Sequence, residues 1–407
     1  MQGPRHDRLG EGILYTVGLD ISAIDGTFRE HTIRGIGRYV RELHEYFESH
    51  QGSDVAIAFF DHHDVKSARA LDALIEKLPT GGATLRSQVV HPLCLAGRNS
   101  RKFDVLHFPA HMDAPSWSMK KYLLTVLDLI PLVYSELYKA DRAGWKFHLA
   151  RWFELRAIKN ATHLLAISEN TARDVNRILG VPYERMSITP LGVNEHYFSA
   201  ELTEDEVALR KRYGIPAEKK IILYVGGIDQ RKNYPTLLKT MDNVVSRYRE
   251  RKKDSPVLVM VGQIEQDRQF PKLLALIAEH GLKEHVVLSG FVPEDDLLQL
   301  YAIASVFCFL SLYEGFGLPP LEALAAGVPV VSSNASAMPE VLGNAAIMVN
   351  PLDAERAAHH VCQVLENPNL AEKKREAGKK QARKFAWSRT GDATLAVYER
   401  FASGKIH

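Results

Sequence analysis

The sequence holds little of what would assign it quickly. Among its 407 residues are only three cysteines, Cys94, Cys308 and Cys362. Their spacing fits no metal-ligand pattern, and an odd count argues against a disulfide framework. No run approaches the ~18 consecutive apolar residues of a spanning helix. The longest apolar stretch, 122–134, is interrupted by Asp128 and Pro131. The N-terminal MQGPRHDRLG has no apolar signal core. Charge of one sign is also missing. With 51 basic and 49 acidic residues the formal net charge is +2, so no overall field points to nucleic acid. These absences leave the expectation of a cytoplasmic protein whose contact with the inner face of the cell membrane, where there is any, is peripheral.

What the chain does have is apolar matter arranged in alternation. Hydrophobic residues make up 46% of it, enough for two cores, and the length exceeds one domain of ~100–200 residues. Short β-branched runs alternate with helical patterns, the signature of parallel α/β layers. A first series of predicted strands covers 13–19, 55–60, 105–108, 123–127 and 163–167. The pattern lapses over 190–198 (PLGVNEHYF) and the charged segment 201–212, then resumes at 221–225, 257–261, 286–288, 306–310, 329–332 and 347–349. The fold class that follows is α/β, two Rossmann-like doubly wound domains facing across a cleft. Their expected bounds are 1–195 and 196–385, with a C-terminal helix at 386–407 packing back on the first.

The densest chemistry is the string Ser311-Leu-Tyr-Glu-Gly-Phe-Gly-Leu-Pro-Pro-Leu-Glu322, which leaves a predicted strand and enters a helix predicted over 321–326. Ligands of doubly wound sheets bind at such strand-to-helix turns. Gly315 and Gly317 allow close backbone approach, and free N–H groups at the helix start attract an anion or sugar hydroxyls. Glu314, in the loop, and Glu322, read into the first helical turn, can each accept hydrogen bonds from vicinal hydroxyls. Glu322 could also simply complement the helix dipole. The second string is Leu223-Tyr-Val-Gly-Gly-Ile-Asp-Gln-Arg-Lys-Asn233. After Gly226 and Gly227 it presents Arg231 and Lys232, a guanidinium fork and a point charge suited to a diphosphate, although such a triplet also occurs on solvated surfaces.

In the first half, Gly35, Gly37 and Arg38 stand in His31-Thr-Ile-Arg-Gly-Ile-Gly-Arg-Tyr-Val40, read as a glycine turn between the first strand and first helix. Asp128, in Thr125-Val-Leu-Asp-Leu-Ile-Pro-Leu132, lies between an apolar strand and a proline turn, where a catalytic part and an N-cap are both open. The segment 138–160 mixes aromatic and basic residues and reads as a packed helix with snorkelling charges, with an interfacial helix at an anionic bilayer as the alternative.

These strings together resemble glycosyltransferase family 4, a retaining family with the GT-B fold, and within it the branch of the bacterial mannosyltransferase B. E-G-F-G-L-P-P-L-E is similar to the family's E-x7-E signature. The resemblance implies that Glu314 contacts the transferred sugar and Glu322 the nucleotide ribose, with Phe316, Gly317 and Leu318 giving backbone contacts. It implies that Arg231 and Lys232 neutralise the donor pyrophosphate and that Phe291 lies by the base. Residues 1–195 become the acceptor side and 196–385 the nucleotide-sugar donor side. Gly35, Gly37, Arg38 and His107 become the candidate acceptor or phosphate loop, and Asp128 joins Glu314 as catalytic.

No metal and no cofactor are expected beyond the donor, a nucleotide diphosphate sugar read as GDP-mannose. The acceptor is expected to be a glycan or polyprenol-linked saccharide in polysaccharide biosynthesis. One departure stands out: relatives carry histidine where this chain has Leu127, and His107 and His111 are the available substitutes. A nucleotide-sugar 2-epimerase and an inactive sugar-nucleotide-binding subunit stay open as alternatives.

Overall fold

The computed structural model describes residues 15–24, 35–52, 54–61, 88, 102–111, 114–118, 120–134 and 145–405. Residues 31–34, Cys94 and the first part of the 138–160 segment, singled out above, lie outside these. Two six-stranded parallel sheets form the frame. The first contains β1 (Tyr15–Asp20), β2 (Val55–Phe60), β3 (Val105–Phe108), β4 (Tyr122–Val126), β5 (His163–Ala166) and β6 (Met186–Ile188), in the order β2-β1-β3-β4-β5-β6. The second contains β7 (Ile221–Val225), β8 (Val257–Val261), β9 (Val286–Gly290), β10 (Val306–Phe309), β11 (Val330–Ser333) and β12 (Ile347–Val349), in the order β12-β11-β10-β7-β8-β9. Central strands such as β3, β4, β8 and β10 are buried along their whole length. Their near-continuous apolar sequences are what burial on both faces demands.

Helices cover the sheets: α1 (Gly35–Ser49), the short α2 (Ile130–Val133), α3 (Trp145–Asn160) and α4 (Glu169–Leu179), then α5 (Glu206–Arg212), α6 (Tyr234–Glu250), α7 (Phe270–Glu279) and α8 (Glu294–Ile303). α9 (Leu318–Ala325), α10 (Met338–Leu342), α11 (Ala354–Glu366), α12 (Pro368–Ala382) and α13 (Trp387–Ala402) complete the set. Their ends carry the expected chemistry. Ser168 caps α4 by accepting from the Thr171 N–H, and Gly180 closes it in the left-handed region at φ 71°.

The structure refines several sequence expectations. β6 was not anticipated, because its three residues are only partly buried and carry no long apolar run. The charged segment 201–212 ends in a helix, α5, capped by Asp205. The C-terminal helix expected at 386–407 runs over Trp387–Ala402 and is preceded by α12, which ends at Ala382. α9 begins at Leu318, which places Glu322 in its second turn rather than its first. Pro319 and Pro320 fit that early start, since a proline costs nothing where N–H groups have no intrahelical partner.

α13 returns to the first sheet. Val193 donates its N–H to the Phe385 carbonyl at 2.8 Å, and Val193 bridges Ala386. The crossing is tight: a Cβ on Gly192 would meet the Trp387 backbone nitrogen at 2.3 Å. Beyond it, Trp387 Nε1 donates to Asn194 at 3.0 Å and the Tyr398 ring stacks on Phe47.

In each sheet the strand order reverses at one place, between β1 and β3 in the first and between β7 and β10 in the second. Such switch points open a crevice at the carboxyl ends of the strands. The loops leaving β7 and β10 are the two strings that carry the candidate donor residues.

Candidate functional site

The loop after β7 is built to present two cations. Gly226 leaves the strand at φ 152°, and Gly262, at φ 155° after β8, packs so closely that a Cβ there would lie 2.4 Å from the Gly226 carbonyl oxygen. Only glycine tolerates both demands. Gly227 has open space where a side chain would stand, and its carbonyl accepts from Tyr224 Oη at 2.5 Å. Asp229 then accepts from the Arg231 N–H at 3.0 Å, and Asn233, left-handed at φ 57°, is tied by its amide to the carbonyls of Leu310 and Pro351. The loop after β10 is fastened to this turn: Leu312 N–H donates to the Arg231 carbonyl at 2.7 Å, and Ser311 Oγ lies 3.0 Å from the same oxygen.

Glu314 sits at the centre. Lys232 Nζ lies 2.8 Å from its Oε1 and Arg231 Nη1 2.8 Å from its Oε2, while Ser311 Oγ donates to Oε1 at 2.7 Å. Ser336 fixes the backbone by accepting from the Glu314 N–H at 2.9 Å. Burial opposes ionisation of Glu314, but Arg231 and Lys232 outweigh it and hold the carboxyl at about 2. Burial pulls Lys232 the other way, below its ordinary value. The cluster is therefore a compact, buried assembly in which Arg231 and Lys232 converge on Glu314, with a second carboxylate, Asp229 Oδ1, 3.6 Å from Arg231 Nε.

Gly317 stands at φ 101° at the head of α9, with Leu318 as the first helical residue. Phe316 is buried and meets Phe385 edge-on, so its backbone alone is available to a ligand. Phe291, after β9, is 58% exposed. Glu322 is buried and both its oxygens are engaged: Oε1 accepts from Arg38 Nη1, and Oε2 from Tyr301 Oη at 3.3 Å. Burial raises its pKa despite the guanidinium.

Several first-half assignments need correction. Gly35 and Gly37 do not form a turn; they lie in the first turn of α1. Arg38 follows them and reaches across to the second domain, pairing with Glu322 and, at 3.4 Å, with Glu294. His107 is no loop residue. It is fully buried in β3, with Nδ1 2.6 Å from Tyr398 Oη and Nε2 2.9 Å from Thr125 Oγ1. Burial holds its pKa down to about 3, so it is a neutral core histidine. His111 is also buried, with its Nε2 3.1 Å from Glu154 and its Nδ1 accepting from the Leu127 N–H at 3.4 Å.

Asp128 does reach the crevice. Its Oδ1 accepts from the Ile130 N–H at 3.0 Å, and the Leu127–Asp128 backbone lies against Gly315. A Cβ on Gly315 would come within 2.4 Å of the Leu127 carbonyl oxygen. Sequence reasoning missed the cross-domain partners Glu294, Asp174, Tyr313 and Glu340. Tyr313 Oη donates to Asp174 and accepts from Asn170 at 3.0 Å, and Glu340 accepts the N–H groups of Glu169 and Asn170 at 3.0 and 3.2 Å.

The family model "Glycosyltransferase Family 4" matches residues 33–197, and "Glycosyl transferases group 1" matches 205–384, so the two together span most of the chain. The chain is 28% identical over 301 residues to the serotype-specific mannosyltransferase WbdA of Escherichia coli, an alignment covering 72% of this chain and 36% of WbdA. It is 31% identical over 244 residues to the O-antigen chain mannosyltransferase B of E. coli, covering 60% and 62%. The chain thus spans about a third of the length of WbdA and under two thirds of mannosyltransferase B. Among solved structures, Anabaena Alr3699/HepE in complex with UDP and glucose superposes with a TM-score of 0.65 at 14% identity, over 95% of this chain and all of that one.

The Glu314 cluster sets a pH dependence. Its carboxyl is lowered from the usual 4.5 to about 2, so its contribution to stability is complete above pH 4.5 and is lost as pH falls through that window. Thermal unfolding followed from pH 7 to pH 2 should show the wild-type protein losing its advantage over Glu314→Gln below pH 4.5. A constant difference across that range would contradict the ionised buried carboxylate.

Proposed function

The chain belongs to glycosyltransferase family 4 and has the GT-B fold, and on that premise we propose that it transfers a hexose with retention, most specifically mannose from GDP-mannose, to a glycan or lipid-linked saccharide. The observation that carries this reading is the single buried cluster of Glu314, Arg231 and Lys232 at the carboxyl ends of β7 and β10. A nucleotide diphosphate sugar breaks at the sugar C1–O bond, with charge growing on both fragments. Arg231 and Lys232 are placed to take the leaving diphosphate, as preorganised cations in a dry site. Glu314, released by that exchange, orients the sugar and offsets its oxocarbenium character. The acceptor oxygen then attacks C1 on the face the diphosphate leaves, and a phosphate oxygen takes its proton, so no separate base and no metal enter the scheme.

Mannose is favoured by the relatives, both of which are named mannosyltransferases. The sugar end of the proposed site carries Leu127, whose side chain makes no hydrogen bond and whose N–H already donates to His111. His111, the substitute the sequence offers, is buried with its Nε2 3.1 Å from Glu154. A panel of nucleotide sugars with EDTA present checks the reading: GDP-mannose should be consumed and an α-linked product formed, with GDP raising the melting temperature more than UDP. Preference for UDP would remove the mannose assignment, and a β-linked product would remove retention.

Peripheral membrane contact is part of the same proposal. No helix among the described residues is long and apolar enough to cross a membrane. α3 buries Ala157 and Ile158 but exposes Leu149, Trp152, Arg156 and Lys159, with the Arg156 guanidinium 5.3 Å from the Trp152 ring. An apolar and cationic stripe of this kind suits an anionic bilayer surface, where a polyprenol-linked acceptor resides. The protein should sediment with vesicles containing an anionic phospholipid and lose that affinity in Trp152→Ala/Arg156→Glu. Equal sedimentation of the two would rule this face out.

A further inference from the structure

Glu322 is expected to hold the donor ribose, yet the structure fills it from the opposite domain. Arg38 comes from the first turn of α1 and closes over a carboxylate whose side chain is only 6% exposed, while its own is 25% exposed. Arg38 Nη1 covers Glu322 Oε1, and Tyr301 Oη stands 3.3 Å from the other oxygen, shared with the Pro319 carbonyl at the same distance, so a hydroxyl pair competes with the guanidinium for this carboxylate. A second carboxylate stands beside the guanidinium. Glu294 Oε1 is 3.4 Å from Arg38 Nη2, and its side chain is 49% exposed at the start of α8. His196 Nε2 at 3.1 Å and Tyr197 Oη at 3.3 Å steady Glu294 in that position.

We propose that Arg38 is an internal competitor for the ribose site: donor binding exchanges the guanidinium on Glu322 for the ribose hydroxyls and transfers Arg38 to Glu294. This rests on the reading of Glu322 as the ribose ligand. The physical argument is one of conserved partners. Stripping a guanidinium from a buried carboxylate and leaving it unpaired is strongly destabilising. Here neither group is left alone, since the ribose takes Glu322 and Glu294 takes Arg38. The exchange also ties the two domains to donor occupancy, because Arg38 belongs to the first domain and both carboxylates to the second. The exchange specifically selects for a ligand with ribose hydroxyls: a nucleotide lacking them finds Glu322 still covered.

Calorimetric titration of GDP and UDP, each against its 2′,3′-dideoxy form, tests this through the affinity ratio within each pair, in which long-range charge effects on the diphosphate cancel. The wild type should favour the ribose form. Arg38→Met should widen that preference by about five-fold or more, and Glu294→Gln should narrow it, since the displaced guanidinium then has no second carboxylate. Arg38→Lys, which keeps the charge and tests the same point should the methionine variant fold poorly, should widen it to a smaller degree. Opposite signs at Arg38 and Glu294 are not expected of two residues that merely brace the domain interface. A wild type that favours the ribose form, together with an Arg38→Met preference that is unchanged or narrowed, overturns the competitor role alone. No ribose preference in the wild type, with Glu322→Ala leaving GDP affinity intact, overturns the ribose reading and the proposal with it.

Discussion

One carboxylate with two cations, buried together, governs this structure. Burial opposes the ionised form of Glu314 and Arg231 and Lys232 offset it, while Glu314, with Asp229 beside Arg231, allows the two cations to sit side by side. Removing one member of such a set costs about 3–5 kcal/mol, because the others are left uncompensated. Exchanging one member for a ligand of the same sign does not carry that penalty. In the proposed scheme a diphosphate takes the two cations as Glu314 turns to the sugar. The glycines at 226 and 262, the Asp229 turn and the Asn233 anchor all serve to hold the two cations at that spot.

The second constraint is how closely the domains meet. Gly315 packs against the Leu127 carbonyl with no room for a Cβ, Tyr134 Oη donates to the Leu312 carbonyl at 3.2 Å, and Glu340 receives two N–H groups from the start of α4. Every one of these contacts touches the loop after β10 or the segment that supports it. The position of Glu314 is therefore tied to the contact between the domains, and in the proposed reaction that contact keeps water from the reacting sugar.

Much of this was legible in the sequence, and the reason is local. The donor strings are contiguous: a strand, a glycine turn, charged residues and a helix start follow within a dozen residues, and each step has its own physical signature. The fold class was legible for the same reason, from alternation alone. What escaped was anything that depends on residues far apart. Arg38 and Glu322 are separated by 284 positions, and nothing in either neighbourhood announces the other. Gly35 and Gly37 read as a turn because glycine is a poor helix former, yet they open α1. His107 lies within the strand predicted at 105–108, yet it was assigned to the acceptor loop, because the face a strand residue presents is set by register with neighbours. Pairing with Leu19 and Leu123 puts it in the core, beneath Tyr398 from the far end of the chain. Leu127 was legible as a departure, but only the structure shows that His111 lies beneath it and is already partnered.

The most direct test of the central claim separates binding from transfer at Glu314. In Glu314→Gln the cations lose their competitor, so calorimetry should find GDP bound at least as tightly as by the wild-type protein, while transfer from the sugar nucleotide falls by roughly a hundredfold or more. Loss of GDP affinity in step with transfer would contradict the account, since it would make Glu314 a support for the nucleotide pocket rather than a carboxylate exchanged for the diphosphate.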